Sequence, residues 1–171
     1  MKKDIKLNNV IFPIWIMWLV PPLILFAMVG NFVIDSIVIL VAFLVFKVVN
    51  STGLSMWQLY KKSILKVWGF GFLADILGSI FLFVITMILN MVKGTNDMLY
   101  SIMFNPFNNI IGFLIVSAAV LLAIVLIYIF NYRIVFKKLI EDSKIRMKVA
   151  LTIAIITMPW TYFIPVERFF N

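Results

Sequence analysis

The chain contains no cysteine and no histidine. Without cysteine there are no disulfides, no thiol nucleophile and no thiolate metal site. Without histidine, the commonest general base and the commonest transition-metal ligand are gone. Acidic residues are scarce too, with seven Asp and Glu against 15 Lys and Arg. Charged residues make up only 13% of the chain, about half the share in a soluble domain. There is no phosphate-binding glycine loop, no nucleophile elbow and no cluster of metal ligands in sequence. These absences imply no cofactor and no metal site, and they argue against an enzyme. No internal repeat, low-complexity tract or linker divides the 171 residues, so one domain covering 1–171 is expected.

What fills the chain instead is apolar. The hydrophobic share is 64%, against roughly 45–50% in soluble domains. A soluble fold of this size cannot hide so much apolar surface from water, whereas a bilayer solvates it directly. A hydrocarbon core of about 30 Å takes about 20 apolar residues per helical span. Runs of that length recur, while the short alternating segments of a membrane barrel do not. The fold class expected is therefore an all-α integral membrane protein, a bundle of five transmembrane helices.

The spans are placed at about 10–28, 32–49, 67–91, 110–130 and 149–164. Gly30-Asn31 is expected to form a very tight turn between the first two. The fifth is short or re-entrant, because Pro159 interrupts it and Pro165 ends it. Lys2 and Lys3 followed by an apolar stretch suggest a signal peptide. However, Asp4 breaks the basic region and no small-x-small cleavage site follows, so the stretch is read as a retained first span.

Alternation of these spans puts the N-terminus, the 2–3 loop and the 4–5 loop on one side. That side then holds every basic residue except Lys93 and Arg168. Lys and Arg mark cytoplasmic loops, so the N-terminus is expected inside and the C-terminus outside. The Lys-, Ile- and Phe-rich usage fits a bacterial chain from an AT-rich genome, and hence a cytoplasmic (inner) membrane. The net charge of +8 is then a topological signal. No basic patch lies outside these loops to suggest nucleic acid. Partners expected are the lipid bilayer, anionic lipid headgroups at the basic loops, and other membrane subunits or a homo-oligomer.

Two connecting segments carry patterns of their own. In 54–66, Trp57, Tyr60 and Ile64, continued by Trp68, recur along one helical face. Ser55, Gln58, Lys62 and Lys66 lie mostly opposite, and Lys61 can snorkel from the edge. The pattern predicts an interfacial helix, capped by Ser51 or Thr52. On the other side, 98–104 is an apolar stretch between polar turns. It predicts a short helix at the outer surface, or a lid that dips inward.

Asp35 and Asp75 are the only ionisable residues well inside predicted spans. An Asp at mid-span costs about 2.5–3.5 kcal/mol on insertion scales, so such residues face a partner or a wet cavity. Asp75 lies about two turns into its span, flanked on the same face by Gly71 and Gly78, a pattern that lets another backbone come close. Asp35 is expected near the outer end of span 2, within reach of headgroups, with Asn31 and Ser36 nearby. The plain alternative for both is an interhelical hydrogen bond or a protonated carboxyl. A catalytic dyad needs the two carboxyls in contact, and the expected depths differ by about 10 Å at 1.5 Å rise per residue. The fragments 30–35 and 74–76 resemble lipoprotein signal peptidase motifs only in part. The basic residue expected after the first Asp is Ser36, and the Asn before Ala74-Asp75 is missing.

Span 1 carries Pro13 and the pair Pro21-Pro22. Interior prolines kink or break helices, and broken helices bind substrates in transporters. Trp15, Trp18, Trp160 and Tyr162 read as interface or packing aromatics, and the ten Met residues as apolar filler. Two functions follow. One is a transporter or substrate-binding membrane component that uses Asp75, with Asp35 and the broken span, for a cation, a proton or a cationic solute. The other is a non-catalytic accessory, assembly or regulatory subunit of a membrane complex.

Overall fold

The computed structural model describes residues 21–169, and every regular element among them is helical. In chain order they are α1 (Pro21–Val45), α2 (Val48–Thr52), α3 (Met56–Asn90), α4 (Asn96–Met103), α5 (Ile110–Phe130) and α6 (Ser143–Ile156). Single 3-10 turns cover Pro106–Asn108, Trp160–Phe163 and Val166–Phe169, and a π-helical turn, Asn131–Val135, extends α5. Three stretches are long and apolar enough to cross a membrane: Ile24–Val45, Met56–Asn90 and Ile110–Val135. Most of the expected first span, with Pro13, Trp15 and Trp18, lies outside the described residues.

The tight turn expected at Gly30-Asn31 is not there. α1 runs unbroken through both residues. Gly30 is a poor helix former, but Ile, Val, Leu and Phe surround it, and neither neighbouring turn holds a breaker. Residues 21–28 and 32–45 thus belong to one helix, not to two antiparallel spans. The backbone is helical from Pro21 onward, so Pro21 and Pro22 make no break in the described part of this segment.

The separate interfacial helix expected at 54–66 is also absent. The segment is the first third of α3, a single rod of 35 residues, about 52 Å long at 1.5 Å per residue. Its cap is Ser55 rather than Ser51 or Thr52. The Ser55 hydroxyl accepts from the Gln58 amide while the Gln58 side chain accepts from Ser55 N–H, a complete capping box. Ser51 and Thr52 instead bond the carbonyl of Val48 within α2. The aromatic face turns toward α1: Tyr60 OH meets Ser36 Oγ at 3.0 Å, and Trp68 packs edge-on against Phe32. Trp57 alone stays exposed, stacked on Tyr60 with the Lys61 ammonium 4.9 Å from its ring centre.

α5 matches the expected span 110–130 and starts where Asn109 accepts from the N–H groups of Ile111 and Gly112. α6 begins earlier than the expected fifth span, because Asp142 caps it through Lys144 and Ile145 N–H. It stops at Ile156, ahead of Pro159. The chain then continues in irregular and 3-10 backbone to Val166, whose N–H bonds the carbonyl of Phe104 at 2.8 Å.

These contacts define two ends of one bundle. At the basic end, Phe43 of α1, Leu59 of α3, Phe136 beyond α5 and Val149 of α6 share a core. At the opposite end α4 forms the short helix expected there, and its own Ser101 and Ile102 are buried. Glu167 accepts hydrogen bonds from Tyr100 and Asn105, and the hydrogen bond raises the Tyr100 phenol above the usual tyrosine range. Ser101 sits directly on Gly112, and a Cβ there would overlap its side chain.

Candidate functional site

α1 and α3 pack antiparallel, and their interface carries a ladder of polar contacts. Starting from the basic end, Ser36 meets Tyr60, then Trp68 Nε1 donates to the carbonyl of Met28 at 2.9 Å. Further along α3, Asn31 Nδ2 donates to Asp75 Oδ2 at 3.3 Å. Asp35 lies between these rungs, with Oδ2 3.7 Å from where a Cβ on Gly71 would stand. Gly71 is one turn before Asp75, about 6 Å along the axis. The Asp35 carboxyl therefore stands about one helical turn from the Asp75 position.

This differs from expectation in two ways. Asp35 is not near a helix end open to water. It is buried at 4% exposure, in the middle of α1. The cause is the missing turn, since α1 extends well beyond Asp35 in both directions. The two Asp residues also stand nearer in depth than expected, because α3 is a single rod whose aromatic face sets its register on α1. That closeness removes the depth mismatch counted against a dyad, although the departures at Ser36 and before Ala74-Asp75 remain.

Asp75 is 2% exposed. Its Oδ2 has Asn31, but its Oδ1 is buried with no hydrogen-bond partner. Buried polar atoms are normally satisfied, so an orphaned carboxylate oxygen is a place for a proton or a ligand. Among the described residues no Lys or Arg enters this part of the bundle. α5 has no charged residue at all, and the basic residues of α6 lie in its first half at the basic end.

Gly71 and Gly78 do open the face, each for a different neighbour. At Gly71 the neighbour is the Asp35 side chain. At Gly78 it is Tyr162, whose hydroxyl lies 3.2 Å from a Cβ position, together with the carbonyl of Ala119 on α5 at 3.4 Å. Tyr162 reads from sequence as an interface or packing aromatic. It is buried at 1% exposure, and its hydroxyl donates to the Asp75 carbonyl at 2.6 Å and meets Ser79 Oγ at 2.8 Å. The break that reaches the site is therefore the one between Pro159 and Pro165. The prolines were visible in the sequence, but the aim of Tyr162 depends on where α6 stops. No group of three or more His, Cys, Asp or Glu among the described residues could hold a metal ion.

Comparison with known proteins adds no relative: no family model, no curated protein and no solved structure matches the chain.

Proposed function

We propose that the chain is a multi-pass protein of a bacterial cytoplasmic membrane and a transporter or substrate-binding membrane component. In this reading Asp75, with Asp35 beside it, binds a cation, a proton or a cationic solute. The observation that carries it is the orphaned Oδ1 of a buried Asp75 with a second carboxyl about one turn away. An intramembrane ionisable group without a basic partner marks an ion or substrate path by default. The interrupted segment after α6 supports the same reading, because irregular backbone at membrane depth is tolerated only inside protein or along a cavity.

The charge distribution supports a cytoplasmic basic end. Lys47, Lys61, Lys62 and Lys66, with Arg133 to Lys148, gather there, and among the described residues Lys93 lies at the other end. α1, α3, α5 and the α6 segment then make four crossings. The five-span count and the cytoplasmic N-terminus relied on the missing turn, and they now depend on residues 1–20. We propose further that the basic end meets anionic headgroups and that the chain works with a second copy or another membrane subunit. The long exposed face of α1, with Phe26, Val33, Ile37 and Leu44, favours such a neighbour or lipid. That face is also what the alternative reading, a non-catalytic accessory subunit, has in its favour. We read the protein as no enzyme, since the basic residue after the first Asp and the Asn before Ala74-Asp75 that a signal-peptidase-like dyad calls for are missing.

The test is reconstitution of the purified chain in liposomes. Proton, Na+, K+ and quaternary-ammonium fluxes are compared between wild type and Asp75→Asn. Asn keeps the size and most hydrogen bonding but cannot ionise. Loss of a flux in the Asn variant, with folding retained, supports the reading. An Asn variant that fully complements a deletion strain ends it and leaves the accessory-subunit role.

A further inference from the structure

The polar groups around the Asp pair are almost all committed. Ser36 Oγ donates to the carbonyl of Phe32 and meets Tyr60. Ser79 Oγ bonds the Asp75 carbonyl and Tyr162, and Tyr162 itself donates to that carbonyl. The Asn31 amide turns its N–H, not its oxygen, to Asp75. What remains free toward the pair is carboxyl oxygen, including the buried Oδ1 of Asp75. Among the described residues the pair offers its carboxyl oxygens, one already bonded by Asn31, short of the about six oxygen ligands that hard metal cations take. Two buried carboxylates about one helical turn apart, without a counter-charge, favour uptake of a proton.

The charged groups of the surrounding elements do not supply one. On α1 and just beyond it, the nearest basic residue is Lys47, past the helix end at the basic end. On α3 it is Lys66, nine positions from Asp75 and exposed. α5 carries none, and α6 carries Lys144, Arg146 and Lys148 in its first two turns. In the segment after α6, Tyr162 is engaged and Glu167 bonds Tyr100 and Asn105 at the opposite end.

We infer that the cation of this site is a proton, held by the Asp35–Asp75 pair so that one carboxyl is protonated while the other is charged. This rests on the proposed function and narrows its three candidate cations to one. Loading forms a single O–H bond on a carboxyl oxygen, with the proton taken from water, and release returns it. The Asn31 N–H, fixed on Asp75 Oδ2, leaves Oδ1 as the proton-bearing atom when Asp75 is the protonated partner. The pair titrates as a unit in two coupled steps.

The experiment is infrared difference spectroscopy of the full-length protein in detergent, stepped through pH, with aspartate carboxyls carbon-13 labelled. The expected result is a protonated-carboxyl band at neutral pH that shifts with the aspartate label and in heavy water. It should stay unchanged when Na+, K+ or Mg2+ is added. Asp35→Asn and Asp75→Asn should each replace the two-step titration by a single step. Absence of the band at neutral pH overturns the inference, as does its loss on adding Na+ or K+. These wild-type measurements decide the matter even where an Asn variant fails to fold. A band displaced by Na+ leaves the transport reading standing with a different cation. An intact band in a protein that carries no flux supports the proton site and ends the transport reading.

Discussion

Tyr162 reaches across the bundle to place its hydroxyl 2.6 Å from the main-chain oxygen of Asp75. That carbonyl also receives Ser79 Oγ at 3.1 Å. A segment of irregular and 3-10 backbone between two prolines is thus pinned to the turn of α3 that carries the orphaned carboxyl. Tyr162→Phe removes the pin and keeps the ring. The expected cost is about 1 kcal/mol, the net worth of one hydrogen bond. For a chain of this size that lowers the melting temperature by roughly 2–4 °C. An unchanged melting temperature in detergent would show that the bond contributes nothing.

The glycines give a graded test of packing. Gly112→Ala drives a methyl into Ser101 and is expected to be the most damaging. Gly78→Ala presses on Tyr162 and on backbone of α5, and over-packing of this kind costs about 1–3 kcal/mol. Gly71→Ala meets only the Asp35 carboxyl at ordinary contact distance and should be nearly silent. The order is checked by melting temperature and membrane abundance. A Gly71→Ala variant worse than Gly78→Ala would contradict the packing described.

Gly30 distinguishes a helix from a turn. It has open space around its Cβ position within α1. Replacing a mid-helix Gly by Ala is worth about 0.5–1 kcal/mol, so Gly30→Ala should stabilise the protein. Had the chain reversed direction at Gly30-Asn31, the same change would destabilise it. Thermal melting of the variant beside wild type decides between them.

Topology is checked with single cysteines, which are clean probes because the chain has none. Lys62→Cys and Lys138→Cys should react with an impermeant thiol reagent only in opened cells. Asn96→Cys, on α4 at the other end, should react in intact cells. Labelling of Lys138→Cys from outside reverses the orientation proposed from the basic end.

Helical character, α5 and the short α4 were legible, because each rests on local composition and length. Asp75 and its flanking glycines were legible too, since an Asp amid apolar residues stands out by itself. What sequence alone misplaced were boundaries where propensity and tertiary packing compete. Gly30-Asn31 looks like a turn by composition, yet two apolar flanks carry the helix through it. The aromatic stripe of 57–68 has the spacing of a membrane-surface helix, and only the presence of α1 shows that Tyr60 and Trp68 serve an interhelical contact. The partnership of Tyr162 with Ser79, 83 positions apart, has no local signal.

The unbroken course of α3 has a mechanical consequence. Lys61, Lys62 and the exposed Trp57 sit on the same stiff rod as Asp75, with no hinge in between. A force applied to the exposed side of its first turns, by a docked protein or by a change in lipid surface, acts on the whole rod. The carboxyl lies farther along the same rod, where Asn31 of α1 still holds it. Tilt at one end is delivered as displacement at the other.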